Sequence, residues 1–382
     1  MLAEGCSMRY KWMFLVLIVA AAMLMACDGA REPELDVYET VIAEPEAEEY
    51  GPWAFANFAD IRQPQHLAYY VPHGIIAVNH IEFMSDNLYG RSPFTYREKE
   101  AAAWLVEELL AMGHAWENIE VQEFTWEQVS DTRFARGMSW EMVASAVALG
   151  QRAPRETQIS QNVILTVPGQ TERKIIVGAH YDTFPYPGAS DNASGTALLL
   201  ESAQRMLNED NYHTLVYVFF GAEEVGILGA HFYMYSLTEQ ERENLVVMVN
   251  ADVLFEGPYL KYAAAVQVMN ATRSWESHSE DDITRQVDEI AHLMHEAHGV
   301  EIIAAPGLVN SGSDHLPFFL AGYTVVFMAG MDNLGDGRWG TRVLHTPQDC
   351  IHYINERWPG KIDTNMRYFS IFLEEILLTR FE

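Results

Sequence analysis

The sequence predicts an α/β protein, a single three-layer α/β/α sandwich around a mixed, mostly parallel central sheet. Three observations carry that prediction. Short apolar runs alternate with helical patterns through residues 51–382, the runs are apolar on both faces, and no repeat or low-complexity stretch interrupts them. A strand with no wet face belongs in a sheet covered on both sides.

The apolar runs are, in order, Asn162–Val167, Lys174–Ala179, Leu215–Phe220, Leu245–Val249, Glu301–Ala304 and Thr324–Met328. Pro168-Gly169 between the first two is a hairpin-like turn signal. Helical spacing marks Arg97–Met112, stopped by Gly113, then Ser194–Leu207, Ile283–His298 and Lys361–Leu378. Residues 125–160 and 254–282 are less regular and read as insertions or subdomain elements in the 51–382 domain.

Ahead of that domain the chain carries an address. Arg9 and Lys11 precede an unbroken apolar run from Trp12 to Ala26. Such a run is short for a bilayer span, which needs about 20 residues, and suits a signal peptide. Leu24-Met25-Ala26-Cys27 resembles the lipobox of bacterial lipoproteins, whose cysteine becomes the acylated first residue of the mature chain. Residues 1–26 are therefore expected to be a lipoprotein signal peptide and Cys27 a membrane lipid anchor. Residues 27–50, rich in Asp and Glu and containing Pro33 and Pro45, are expected to be an acidic tether. The protein is then exported, on the periplasmic or cell-surface side of a bacterial membrane.

Composition narrows the function classes. A content of 49% hydrophobic and 20% charged residues supports a large packed core and excludes wholesale disorder. With 24 Lys and Arg against 54 Asp and Glu, the net charge is −30 and a nucleic-acid partner is excluded. Cys6, Cys27 and Cys350 are too few and scattered for a disulfide scaffold or a thiolate zinc site. Any metal must be held by histidines and carboxylates.

The strand ends supply both. Lys174–Ala179 runs into His180-Tyr181-Asp182, and the next loop carries Asp191 into a helix. Leu215–Phe220 ends in Gly221-Ala222-Glu223-Glu224, and Leu245–Val249 in Asn250-Ala251-Asp252. A Gly-rich loop after Thr324–Met328 leads to His345-Thr346-Pro347-Gln348-Asp349. Ligands of open α/β sheets bind beyond the carboxyl ends of the strands. Carboxylates gathered there repel one another, and a divalent cation relieves the repulsion. His180, Asp191, Glu224, Asp252 and His345 give two metal ions three ligands each if one carboxylate bridges. Paired ions of this kind clamp both sides of a hydrolytic transition state.

Six segments in order resemble the co-catalytic zinc aminopeptidase family, which includes the bacterial leucyl aminopeptidases, aminopeptidase Y and the glutamate carboxypeptidases. They are His180-Tyr181-Asp182, Ser190–Gly195, Ala222–Gly226, Asn250-Ala251-Asp252, Ser313-Asp314-His315 and His345–Asp349, within about residues 90–380. The resemblance implies a zinc exopeptidase-like fold, two Zn2+ per chain, and hydrolysis of N-terminal residues from peptide substrates. It implies Asp191 as the bridging ligand, His180 and Asp252 on one zinc, and Glu224 and His345 on the other. Glu223 becomes the general base and Asp182 the carboxylate that orients His180. It also implies a cis Asp191–Asn192 peptide bond. Two features of some relatives are missing: Val309–Asp314 offers no oxyanion-stabilising tyrosine, and there is no paired-cysteine loop.

Other residues read more plainly. His292, His295, Glu296 and His298 lack the His-Glu-x-x-His spacing and are expected on a polar helix face. His213 and His231 are expected to be structural or solvated. Asp349 is expected to anchor the His345 loop, His315 either to line the pocket or to brace its loop, and Phe184 and Trp339 are candidates for shaping a side-chain pocket. The rivals to an aminopeptidase are a glutaminyl cyclase of the same fold, a carboxypeptidase, and a peptidase-like binding domain without chemistry.

Overall fold

The structure, a computed structural model of the 382-residue chain, describes residues 71–130, 140, 142–143, 158–269, 275–278, 281–335 and 338–382. The expected signal peptide, Cys27, the tether and most of the 125–160 stretch lie outside the described residues. Among the described residues, no helix is long and apolar enough to cross a membrane.

Among the described residues, ten strands form one sheet. In chain order they are β1 (Ile119–Thr125), β2 (Ile159–Val167), β3 (Thr171–His180), β4 (His213–Phe220), β5 (Leu245–Ala251), β6 (Tyr259–Met269), β7 (Trp275–His278), β8 (Ile302–Ala304), β9 (Val325–Gly335) and β10 (Arg338–Gly340). Their spatial order is β1-β2-β4-β3-β5-β9-β6-β7, with β8 added to β6 and β10 to β9. The four central strands, β4, β3, β5 and β9, run parallel. Antiparallel partners flank them: β2 on one side and β6 on the other.

The principal helices are α1 (Ile75–Asn87), α2 (Tyr96–Ala111), α3 (Gly195–Met206), α4 (Leu228–Ser236), α5 (Asp282–His298) and α6 (Lys361–Leu378). The period-2 alternation of a strand divides the core in two. Ile175, Val177 and Ala179 of β3 join the cluster that includes Leu198 of α3 and Phe369 and Phe372 of α6. Ile176 points the other way, into a cluster with Ala230, Tyr233 and Met234 of α4 and with Phe318 and Phe319. The three predicted layers are present. At Gly178 a Cβ would lie 2.5 Å from the Phe220 ring and 2.6 Å from the Met248 methyl. The neighbouring strands fill the space that a side chain there would occupy.

Each predicted strand and helix is found, with ends shifted by a few residues. Two readings need correction. Pro168-Gly169 does turn the chain, yet β2 and β3 do not pair as a hairpin, because β4 lies between them and bonds to both. Gly169 wraps the start of β4 so closely that a Cβ would meet the His213 carbonyl oxygen at 2.2 Å. Residues 254–282 are not an irregular insertion throughout, since β6 is an eleven-residue strand paired with β9.

The topology positions the site. From β3 the chain crosses by α3 to β4 on one side, then by α4 to β5 on the other. The strand order therefore reverses around β3, where a crevice opens at the carboxyl edge of the sheet. His180 pairs in register with Phe220, and Asn250 with Gly178 and Phe327. The residues that follow these positions converge on that edge.

Candidate metal centre

His180 ends β3 with its ring fully buried. Its Nε2 lies 3.2 Å from Asp191 Oδ1 and 3.4 Å from Asp252 Oδ1. His345 Nε2 lies 3.1 Å from Asp191 Oδ2 and 3.0 Å from Glu224 Oε2. Asp191 therefore turns one oxygen to each histidine. Two groups result, His180-Asp191-Asp252 and Asp191-Glu224-His345, and within each the ligand atoms lie within 4.8 Å of one another.

The remaining oxygens are held in place. Asp252 Oδ2 accepts a hydrogen bond from Ser313 Oγ at 2.8 Å, and that hydroxyl accepts from Asn250 Nδ2 at 2.8 Å. Asp252 Oδ1, the oxygen facing His180, is buried with no hydrogen-bond partner. Glu224 Oε1 accepts from the Phe184 N–H at 3.3 Å and leaves Oε2 for the His345 side. A buried carboxylate oxygen without a donor is costly. Imidazole nitrogens and spare carboxylate oxygens with no thiolate form a donor set that fits a divalent ion such as zinc.

Asp182 binds the site together from behind. Its Oδ1 accepts the Glu223 N–H at 3.0 Å, its Oδ2 accepts the Glu224 N–H at 3.2 Å, and its Oδ1 lies 3.7 Å from His180 Nδ1. His180 Nδ1 is also 3.1 Å from the Asp182 carbonyl oxygen. The ring thus presents Nε2 to the ligand group. Asp349 accepts the N–H groups of Ser190 (2.7 Å) and Asp191 (2.9 Å), tying the Asp191 loop to the loop of His345. The Asp191–Asn192 peptide bond is cis.

Three residues at the site have left-handed backbones without being glycine: Ala222 (φ 54°) before Glu223, Val253 (φ 51°) after Asp252, and His345 itself (φ 57°). Side chains disfavour that region, so their surroundings must hold them there.

The charges form one tightly coupled field. Burial would lower both histidines, yet Asp252 and Glu223 hold His180 well above its usual range, and Glu224 and Asp191 push His345 up to about 11. Burial would raise Asp191, yet the hydrogen bonds and charges of the two histidines hold it below the carboxylate range. Glu224 rises to about 7 through burial and the nearby Asp191. Glu223 rises well above the usual range through burial, with Asp314, Glu224 and Asp252 reinforcing the shift against His180. A field that retains protons so strongly also favours a cation.

The structure brings together all seven predicted site residues. His315 braces its loop: it is fully buried, bonds to the Val309 carbonyl at 3.1 Å and stacks on Phe327 at 4.5 Å. Phe184 reaches the site and packs 4.4 Å from the His345 ring, whereas Trp339 packs on Tyr259 and over Lys261 Nζ. His292, His295 and His298 lie exposed on α5. His213 accepts the Phe381 N–H at 3.1 Å, and His231 stacks on Tyr235 at 4.3 Å.

Sequence reasoning missed a set of buried charges. Arg91 is fully buried and donates to the carbonyls of Tyr181 (2.5 Å), Pro187 (3.0 Å) and Gly188 (2.8 Å), fixing the loop between Asp182 and Asp191. Burial lowers its guanidinium to about 10, against the pull of Asp349, Asp182, Asp191 and Glu224. Glu98 accepts the N–H groups of Phe94 (2.7 Å) and Ala222 (3.0 Å) beneath the Glu223 loop. Asp314, in a segment already singled out, is buried with neither carboxylate oxygen hydrogen-bonded. Nothing local in sequence marks Arg91 or Glu98.

Comparison with known proteins follows the same lines. The profile described as peptidase family M28 matches residues 162–370. Aminopeptidase YwaD of Bacillus subtilis is 31% identical over 212 residues, 52% of this chain and 41% of that protein. The probable lipoprotein aminopeptidase LpqL of Mycobacterium tuberculosis is 32% identical over 121 residues, 31% of this chain and 23% of that protein. The chain thus spans less than half the length of either relative. The structure of BSAP, a zinc aminopeptidase from Bacillus subtilis, superposes with a TM-score of 0.58 at 19% identity, covering 80% of this chain and 95% of that one. Tannerella forsythia glutaminyl cyclase superposes at 0.55 and 16% identity, covering 81% and 99%. Both structures share the fold.

Proposed function

The chain belongs to peptidase family M28, and from that membership we propose that it is a dinuclear zinc aminopeptidase that removes N-terminal residues from peptides. One observation carries the reading: Asp191 offers Oδ1 to the His180 side and Oδ2 to the His345 side. A carboxylate so placed would serve two ions at once, with His180 and Asp252 holding one and Glu224 and His345 the other. When bound, the ions supply positive charge that polarises the scissile carbonyl and acidifies the attacking water.

The chain's own residues do the rest. Glu223 Oε2 lies 4.0 Å from His180 Nε2, beside the ligand groups but in neither. It takes the proton from water and returns it to the departing amine nitrogen as the C–N bond breaks. A carboxylate at this place has the proton-accepting and proton-donating capacity that both steps need. Asp182 orients His180 and both glutamates. The acidic surface favours a free amino group on the substrate.

The lipoprotein reading belongs to the same proposal: signal peptide 1–26, anchor Cys27, tether 27–50 and peptidase domain 51–382. The lipobox-like segment supports it, as does the name of the LpqL relative.

Product analysis by mass spectrometry tests the activity on three peptides: unblocked, N-acetylated, and beginning with glutamine. Release of the first residue from the peptides with a free amino terminus, and none from the acetylated one, is expected. Cyclisation of the N-terminal glutamine would instead identify a glutaminyl cyclase, and trimming of the acetylated peptide a carboxypeptidase. No product from any of them would leave a binding domain.

A further inference from the structure

Glu256 has no part in the chemistry above. It lies on the segment leaving β5, four residues after Asp252, and is fully buried. Its Oε2 accepts two backbone N–H groups, those of Arg342 (2.8 Å) and Val343 (3.1 Å). Its Oε1 is buried without a hydrogen-bond partner.

The two N–H groups begin the turn that carries His345. The Val343 carbonyl accepts from Thr346 N at 3.1 Å and from Thr346 Oγ1 at 2.7 Å, and His345 sits between them with its left-handed φ of 57°. An imidazole on so disfavoured a backbone keeps its aim only if the turn is restrained. Asp349 restrains the far side, through Ser190 and Asp191. Glu256 restrains the near side. Burying a carboxylate is costly, and burial with Asp349 nearby raises this one to about 8.

We propose that Glu256 is a positioning residue for the second metal ion: it fixes the turn that aims His345 at Asp191 and Glu224, and so sets the affinity of that ion. The inference rests on the two-ion reading above. A glutamate that merely stabilised the fold would weaken both ions together.

Stepwise zinc affinity, measured by chelator competition on the purified full chain, distinguishes the two roles. In E256A one affinity is expected to stay within about twofold of wild type while the other falls roughly ten- to hundredfold. Excess zinc then restores hydrolysis. E256Q keeps an amide oxygen for both N–H groups and loses less. In an H345A background, E256A has no further effect, because the ligand it positions is gone. Equal losses at both sites, or a further loss in H345A, would overturn the proposal. If E256A does not fold, E256D, with its carboxylate drawn back by one methylene, carries the same comparison. Two ions in wild type with unchanged affinities in the variants would overturn this inference alone; fewer than two ions in wild type would overturn the two-ion reading with it.

Discussion

Asp182 Oδ1 accepts the backbone N–H of Glu223 at 3.0 Å, although one residue follows β3 and the other β4. The same carboxylate takes the Glu224 N–H and lies beside His180 Nδ1. One side chain thereby sets the direction of a histidine and a glutamate proposed as metal ligands and of the proposed base. Asp182→Asn replaces an acceptor with an NH2 that would face an N–H. Steady-state kinetics with a zinc titration are expected to show kcat/KM lowered roughly 10- to 100-fold and zinc held more weakly. Wild-type values for both would separate Asp182 from the site.

Glu223→Gln keeps the shape of the side chain and removes its capacity to take a proton. The variant is expected to retain its zinc content and thermal stability while kcat falls by about 10²- to 10⁴-fold. Near-normal turnover would remove Glu223 from its proposed role.

Much of this site was legible because parallel strands deliver their carboxyl ends to one edge. His180, Glu223, Glu224 and Asp252 each come just after a predominantly apolar run, so finding the strands located these candidate site residues. His345 follows no strand directly and was reached only through the Gly-rich loop after Thr324–Met328. Arg91, Glu98 and Glu256 stayed hidden for a physical reason: each holds backbone groups of a loop distant in sequence, and no periodicity records that. The missed strands have equally specific causes. Strand β6 carries Ala263, Ala264 and Ala265, poor strand formers, whereas β1 is an edge strand with three exposed positions, Glu120, Val121 and Glu123. Pro168-Gly169 marked a true turn, but local sequence does not say which strand lies between its two arms.

Metal removal tests the electrostatic argument. Without cations, Asp191, Glu224, Asp252 and Glu223 repel one another in a buried space. A chelated sample is expected to melt several degrees lower than one holding zinc at 100 times its dissociation constant, an excess that stabilises by about 2.7 kcal/mol. Scanning calorimetry measures the difference, and identical melting curves would count against a metal centre.

His114 gives a pH dependence that is independent of the site. It is buried beyond α2, bonded to the Ala203 backbone, and burial lowers its pKa from 6.5 to about 4. The unfolded chain therefore binds this proton more readily than the folded one. Its contribution to stability is present above pH 6.5 and is lost as the pH falls towards 4. Compared with His114→Gln, the wild type is expected to lose roughly 3 kcal/mol more between pH 7 and pH 4. Denaturant titrations at the two pH values measure this. Carboxylates of opposite sign, such as Asp349 and Glu256, are common to both proteins and cancel. Parallel profiles would mean that His114 titrates normally in the fold.

The most direct test of the shared Asp191 carboxylate is the zinc content of the purified chain, by elemental analysis after dialysis against metal-free buffer. The account predicts close to two zinc ions per chain, with hydrolysis of aminoacyl-arylamides lost on chelation and restored by zinc. One ion per chain, or none, would contradict it.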